Sequence, residues 1–193
     1  STGGASWNIE DYVNLATLPS DSWNGGVVYK GKLYTVTRES STSIATEIWS
    51  ANTGTPANPA TLLTSFTGES YCTGLAVDDT YYYMACATGN RLIRRHRTSG
   101  VVTVLSDSLP LYTTTSPLHA DDTNADGTAD YLYFKGARAD VYFVCSPAGA
   151  TPYADVLVTY GTSTSSNYGL GFDPAGNKLY AWEYTTKQIV TIQ

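Results

Sequence analysis

Residues 119–134 read HADDTNADGTADYLYF and hold a dense group of oxygen-bearing side chains. Asp122, Asn124 and Asp126 alternate, Gly127 follows, and Asp130 precedes an apolar run. Calcium takes roughly six to eight hard oxygen ligands at short range. Alternate residues of a tight loop can turn their side chains toward one centre. Counted from Asp122, the pattern D-x-N-x-D-G-x-x-D offers side-chain oxygens at its first, third, fifth and ninth positions, and the Thr128 carbonyl at its seventh. Gly127 permits the sharp bend. Counting from Asp121 fails, because Ala125 would then fall on a ligand position. A helix-loop-helix calcium site needs Glu at the twelfth position, and here that residue is Tyr133. The expected ligands are therefore Asp122, Asn124, Asp126, Thr128 and Asp130, and the expected ion is calcium. The competing reading is a polar turn of Asx residues without metal.

A second group is aromatic. Three segments can be overlaid: WNGGVVYKGKLYTVT from Trp23, YCTGLAVDDTYYYMACA from Tyr71, and YGLGFDPAGNKLYAWEY from Tyr168. Each has an aromatic residue, Gly three later, a short apolar run, a turn, and Leu-Tyr or Tyr-Tyr. Trp23, Tyr71 and Tyr168 are expected at equivalent positions, with His119 near the same place in a further copy. Trp182 and Glu183 end a following run and should reach the same region. Such a ring could stack and hydrogen-bond a sugar or a small planar ligand. It could equally be packing that fills a narrow axis.

Other chemistry is sparser. Cys72 and Cys86 flank a hairpin whose loop is read as Asp78-Asp79-Thr80, which places them opposite one another within disulfide reach. The alternative is two buried thiols. Cys145 is left over. The tract 91–97, RLIRRHR, carries basic residues on both faces of a strand and reads as solvent-facing, either meeting an anionic partner or pairing with local acids. There is no G-x-S-x-G, H-E-x-x-H, P-loop or dinucleotide fingerprint, and no Cys/His cluster of zinc spacing.

These groups must be positioned by strands. Leu33-Tyr34, Tyr82-Tyr83, Leu132-Tyr133 and Leu179-Tyr180 open corresponding runs, and the intervals between them are 49, 50 and 47 residues. Further strands are expected at 47–51, 61–66, 91–97, 101–105, 140–145, 155–160 and 188–192. No stretch shows helical periodicity. A period near 50 made of strands alone indicates propeller blades. The expected fold is all-β: one domain, 1–193, as a four-bladed β-propeller of four-stranded antiparallel blades at about 23–66, 71–109, 116–160 and 168–193. The last blade lacks an outer strand, and 12–18 (YVNLATL) would supply it, closing the ring and covering an edge. The alternative is half of an eight-bladed ring completed by a second chain. The tract GFDPAGNKLYAWEYTTKQIVTI resembles NHL and YVTN-like propeller repeats. The 122–130 loop resembles the calcium loop of FG-GAP, or integrin-α-type, repeats, in one blade only; that resemblance implies calcium, not an integrin-like role.

Composition narrows the function. At 193 residues and 42% apolar the chain can bury a core. A net charge of −6 argues against a nucleic-acid partner. No apolar run reaches the roughly 18 residues of a membrane span. The expected role is a secreted, extracellular binding or adhesion module stabilised by calcium, with a glycan or small molecule as ligand. A structural subunit of a surface layer or filament, formed by self-association, and a polysaccharide- or lactone-acting enzyme are the alternatives.

Overall fold

A computed structural model of the protein describes residues 23–38, 45–52, 61–67, 72–86, 91–107, 118–135, 141–147, 154–159, 167–173, 178–183 and 188–192. The expected strand 12–18 and Tyr71 lie outside them. The described residues are all β, in four antiparallel sheets that follow chain order. β1 (Trp23–Tyr29), β2 (Lys32–Arg38), β3 (Ala45–Asn52) and β4 (Thr61–Thr67) form the first. β5 (Cys72–Val77), β6 (Tyr81–Cys86), β7 (Arg91–His96) and β8 (Val102–Ser106) form the second. β9 (Leu118–Asp121), β10 (Tyr131–Lys135), β11 (Val141–Cys145) and β12 (Ala154–Thr159) form the third. β13 (Asn167–Asp173), β14 (Lys178–Glu183) and β15 (Gln188–Ile192) form the fourth.

Each sheet is a meander, because its strands are short, rich in β-branched and aromatic residues, and separated by turn residues. The β1–β2 turn shows the local chemistry. Lys30 and Gly31 both have positive φ, 47° and 72°, as a two-residue hairpin matching the strand twist requires. The first strands of the sheets touch in the order β1, β5, β9, β13.

Side chains alternate between faces, so two cores form. Tyr34 and Val36 of the first sheet pack with Leu75, Val77, Tyr82, Met84 and Ile93 of the second. Tyr83, Ala85 and Leu92 of the second pack with Leu118, Leu132, Phe134 and Cys145 of the third. The second sheet is therefore covered on both faces, which is why Tyr82, Tyr83, Met84 and Ala85 are buried in succession.

The tract 91–97 departs from its expected solvent-facing position. It forms the third strand and the turn after it, with Leu92 and Ile93 fully buried on opposite faces. Its arginines tie the sheets together. Arg94 donates to the carbonyl of Pro147, in the turn that follows β11 of the third sheet, at 2.6 Å. Arg95 donates to Thr64 Oγ1 of the first at 3.0 Å. Arg97 donates to Tyr34 Oη at 3.2 Å and lies over the Tyr34 and Tyr82 rings. The partners are hydroxyls, carbonyls and aromatic faces, reached because both faces of this strand abut another sheet.

Candidate functional site

Three turns meet at one end of the sheets: Lys30-Gly31, 78–80 and 122–130. Asp78 is the joint between them and is 3% exposed. Its Oδ1 accepts the Thr80 and Tyr81 amides at 2.7 and 2.6 Å. Its Oδ2 accepts Tyr83 Oη at 2.6 Å and the Ala129 amide of the long loop at 2.8 Å. Burial, and then the bond to Asp78, push the Tyr83 phenol well above its ordinary pKa. Asp79, by contrast, is exposed. It takes Lys30 Nζ at 2.6 Å and Tyr29 Oη at 3.0 Å, and these two, in that order, lower its pKa. Its amide donates to the Gly127 carbonyl at 2.9 Å. Sequence reasoning missed Asp78, whose signal was faint: an Asp opening an Asx turn on the face shared with Ala76.

The 122–130 loop is held by its own side chains. Asp122 Oδ1 and Asn124 Oδ1 both accept the Asp126 amide, at 3.1 and 2.9 Å. Asp122 Oδ2 accepts the Gly127 amide and Asp126 Oδ1 the Thr128 amide, both at 2.8 Å. Ala125 and Gly127 take positive φ, 59° and 90°. Asp130 is engaged by the Thr123 hydroxyl at 2.6 Å, which is the main cause of its lowered pKa. Asp121 is pushed up, first by burial and then by the charges of Asp130 and Asp122. In donor chemistry the loop suits a hard cation. In arrangement, Asp122 and Asn124 already converge on one amide, and Asp130 takes Thr123 on Oδ2 and the Asn124 side-chain amide on Oδ1, at 3.3 Å. Among the described residues no three acidic, imidazole or thiol groups are gathered as a metal would need them.

The proposed aromatic group is less uniform than its spacing suggests. Trp23 pairs with Thr37, at the level where the second sheet pairs Cys72 with Cys86 and the fourth pairs Asn167 with Glu183. Tyr168 occupies the irregular position that follows, just before the Gly169–Trp182 pair. Trp23 and Tyr168 are thus one register position apart, because the turns beyond them differ in length. His119 departs further. It pairs with Tyr133, as Val27 pairs with Tyr34 and Ala76 with Tyr83, so it sits well along the strand from the Trp23 level. His119 stacks on Tyr133 with centroids 6.5 Å apart, and burial lowers its pKa to about 4. It lines a cleft of about 140 Å³ with Tyr29, Val77, Asp78, Asp122 and Ala129. This cleft lies at the turn end of the strands, beside the expected metal loop and away from Trp23.

Cys72 and Cys86 form the expected disulfide. Cys145 is a buried thiol, and burial raises its pKa to about 11. Among the described residues no helix is long and apolar enough to cross a membrane.

With this geometry in hand, likeness to known structures becomes informative. No protein-family model matches the chain, and no curated protein matches its sequence. The fold does have counterparts. The computationally designed Ika4 protein aligns over 93% of this chain and 95% of its own, with a TM-score of 0.55 and 13% identity. A 6-phosphogluconolactonase-like protein of Bacteroides uniformis aligns over 94% of this chain and 58% of its own, with a TM-score of 0.55 and 17% identity. A chain of the nidogen/laminin complex aligns over 83% and 53%, with a TM-score of 0.53 and 16% identity. The chain thus spans little more than half of the latter two. At these identities the likeness concerns fold: these neighbours include propeller-like proteins.

Proposed function

We propose that the four sheets are blades of a β-propeller, the fourth completed by 12–18, and that the protein is an extracellular binding module for a carbohydrate or similarly sized ligand. The observation that carries this reading is the convergence of β1, β5 and β9 on a cleft lined by His119, whose ring is stacked on Tyr133. A recess with a planar apolar wall and a few polar groups is how small polar ligands are usually held. The disulfide supports the extracellular setting, since such bonds persist in oxidising compartments. Binding to a glycan array tests the proposal, followed by His119→Ala and Trp23→Ala. Loss of binding with His119→Ala alone puts the ligand at the turn end; loss with Trp23→Ala alone puts it at the opposite end with Tyr168, Trp182 and Glu183. A folded protein that captures no glycan on the array or in titration refutes it.

Calcium belongs to the same proposal. Asp122, Asn124, Asp126 and Asp130 would supply side-chain oxygens and Thr128 its carbonyl, once Asp130 exchanges its bonds from Thr123 and the Asn124 amide for the ion. A dication bound only by the folded chain adds about 2.7 kcal/mol at 100 times its dissociation constant. Calorimetric titration of chelator-treated protein decides: no heat, and identical melting with and without chelator, leaves a self-satisfied polar turn. The likeness to a lactonase-like protein concerns fold, so turnover forms no part of the proposal.

A further inference from the structure

The cleft at the turn end carries charge of one sign on an apolar wall. Val27, Val28, Ala76, Val77 and Ala120 line it beside Tyr29 and His119. The charged residues that line it are Asp78 and Asp122, with no Lys or Arg among them. Burial lowers the His119 pKa to about 4, so its imidazole brings no positive charge at neutral pH.

Among the described residues neither carboxylate is paired with a cation. Asp78 accepts amides and the Tyr83 hydroxyl. Asp122 accepts the Asp126 amide on one oxygen and the Gly127 amide on the other. Such partners leave the negative charge uncancelled. The neighbouring cations are engaged elsewhere. Lys30 Nζ meets both oxygens of Asp79 at 2.6 Å. Arg97 donates to the Asp78 carbonyl at 2.6 Å and lies over the Tyr34 and Tyr82 rings. Arg94 donates to the Pro147 carbonyl and lies over the Tyr81 ring. Charge of one sign on low-dielectric walls focuses the field into a cleft. It favours a cation there and repels an anion. Size sets a second limit. The cleft measures about 140 Å³, close to the roughly 150 Å³ of a cavity that takes one benzene ring. It therefore has room for one six-membered ring.

We propose that this cleft selects a single ring bearing a positive charge, an amino sugar with a free ammonium group, over neutral and acidic sugars. The proposal rests on the carbohydrate reading above and names the class of sugar within it. The ring would lie against the aliphatic wall and its ammonium toward Asp122. Asp122 is the partner within reach, because it is half-exposed, whereas Asp78 is buried and already accepts four hydrogen bonds.

The test is calorimetric titration of the chelator-treated protein with three sugars of one ring each: glucosamine, buffered below its amine pKa, glucose and glucuronate. Chelator is used because calcium in the 122–130 loop would itself draw on Asp122. Glucosamine should bind at least about tenfold more tightly than glucose, which is 1.4 kcal/mol, and glucuronate more weakly than glucose. Added salt should shrink the difference, because charges near solvent are screened. Asp122→Asn should bring glucosamine down to the affinity of glucose. Val28→Lys, at an exposed position of the wall outside the loop, should turn the preference toward glucuronate, and it carries the test if Asp122→Asn disturbs the loop. Equal affinities for glucosamine and glucose, tighter binding of glucuronate, or a glucosamine preference that survives both variants overturns the charge selection and leaves the carbohydrate reading standing. Cyclohexylamine separates the opposite failure. If it binds and no sugar does, the selection of a cation holds and the carbohydrate reading falls; if neither it nor glucosamine binds, the selection is overturned.

Discussion

Replacing Asp78 by Ala should be among the most damaging single changes in the described part of the protein, and replacing its neighbour Asp79 among the least. Asp78 accepts four hydrogen bonds, two of them from groups that water cannot reach: Tyr83 is 0% exposed and Ala129 1%. Removing the carboxylate leaves both donors unpaired, at about 1–3 kcal/mol each. The Thr80 and Tyr81 amides lie at a half-exposed turn, so water replaces part of what they lose. The two buried donors together cost about 2–6 kcal/mol, a large fraction of the roughly 5–15 kcal/mol that holds a domain folded. Asp79 makes an exposed ion pair with Lys30, of a kind that contributes little, and its loss should leave the unfolding midpoint unchanged. Equilibrium urea unfolding followed by tryptophan fluorescence measures both. Asp78→Asn should fall between them, since its amide nitrogen would face donors. A loss below about 1 kcal/mol for Asp78→Ala, or equal losses at both positions, would refute the claim that buried donors at the sheet junction set the cost.

Acidification should destabilise the fold through His119. Burial lowers its pKa from 6.5 to about 4, so the unfolded chain binds a proton that the folded chain does not. Stability is full above pH 6.5 and falls toward pH 4 by up to about 1.4 kcal/mol per unit; His119→Phe should remove that part of the slope, and an unaltered slope would count against it. Reducing the Cys72–Cys86 bond releases a loop with a sequence separation of 14, which on chain entropy should cost about 3 kcal/mol; equal melting temperatures with and without reductant would contradict this. Gly127→Ala should cost about 1–3 kcal/mol from its positive φ, with a further steric part because a Cβ there meets Asp79 Oδ2 at 2.5 Å. Repeating it in an Asp79→Ala background should recover the steric part only, and full recovery would show that backbone strain plays no role.

Much of the architecture was legible along the chain. The Leu-Tyr and Tyr-Tyr pairs recur near every 50 residues, and alternation within each run marks strands, because a strand needs only local periodicity to declare itself. The facing of Cys72 and Cys86 followed from the hairpin between them, again a local relation. What depends on which sheet lies beside which was hidden. RLIRRHR reads as a polar strand, yet both its faces abut a neighbouring sheet, so its arginines bond across the junctions and Leu92 and Ile93 are buried on opposite sides. His119 stood beside Trp23 by counting residues, but register places it opposite Tyr133, because turn lengths shift one repeat against another. Asp78 and Asp79 are the same residue type at adjacent positions. Alternation alone turns one of them toward Tyr83 and Ala129 and leaves the other to solvent, and only the arrival of the third sheet's loop makes that difference energetic.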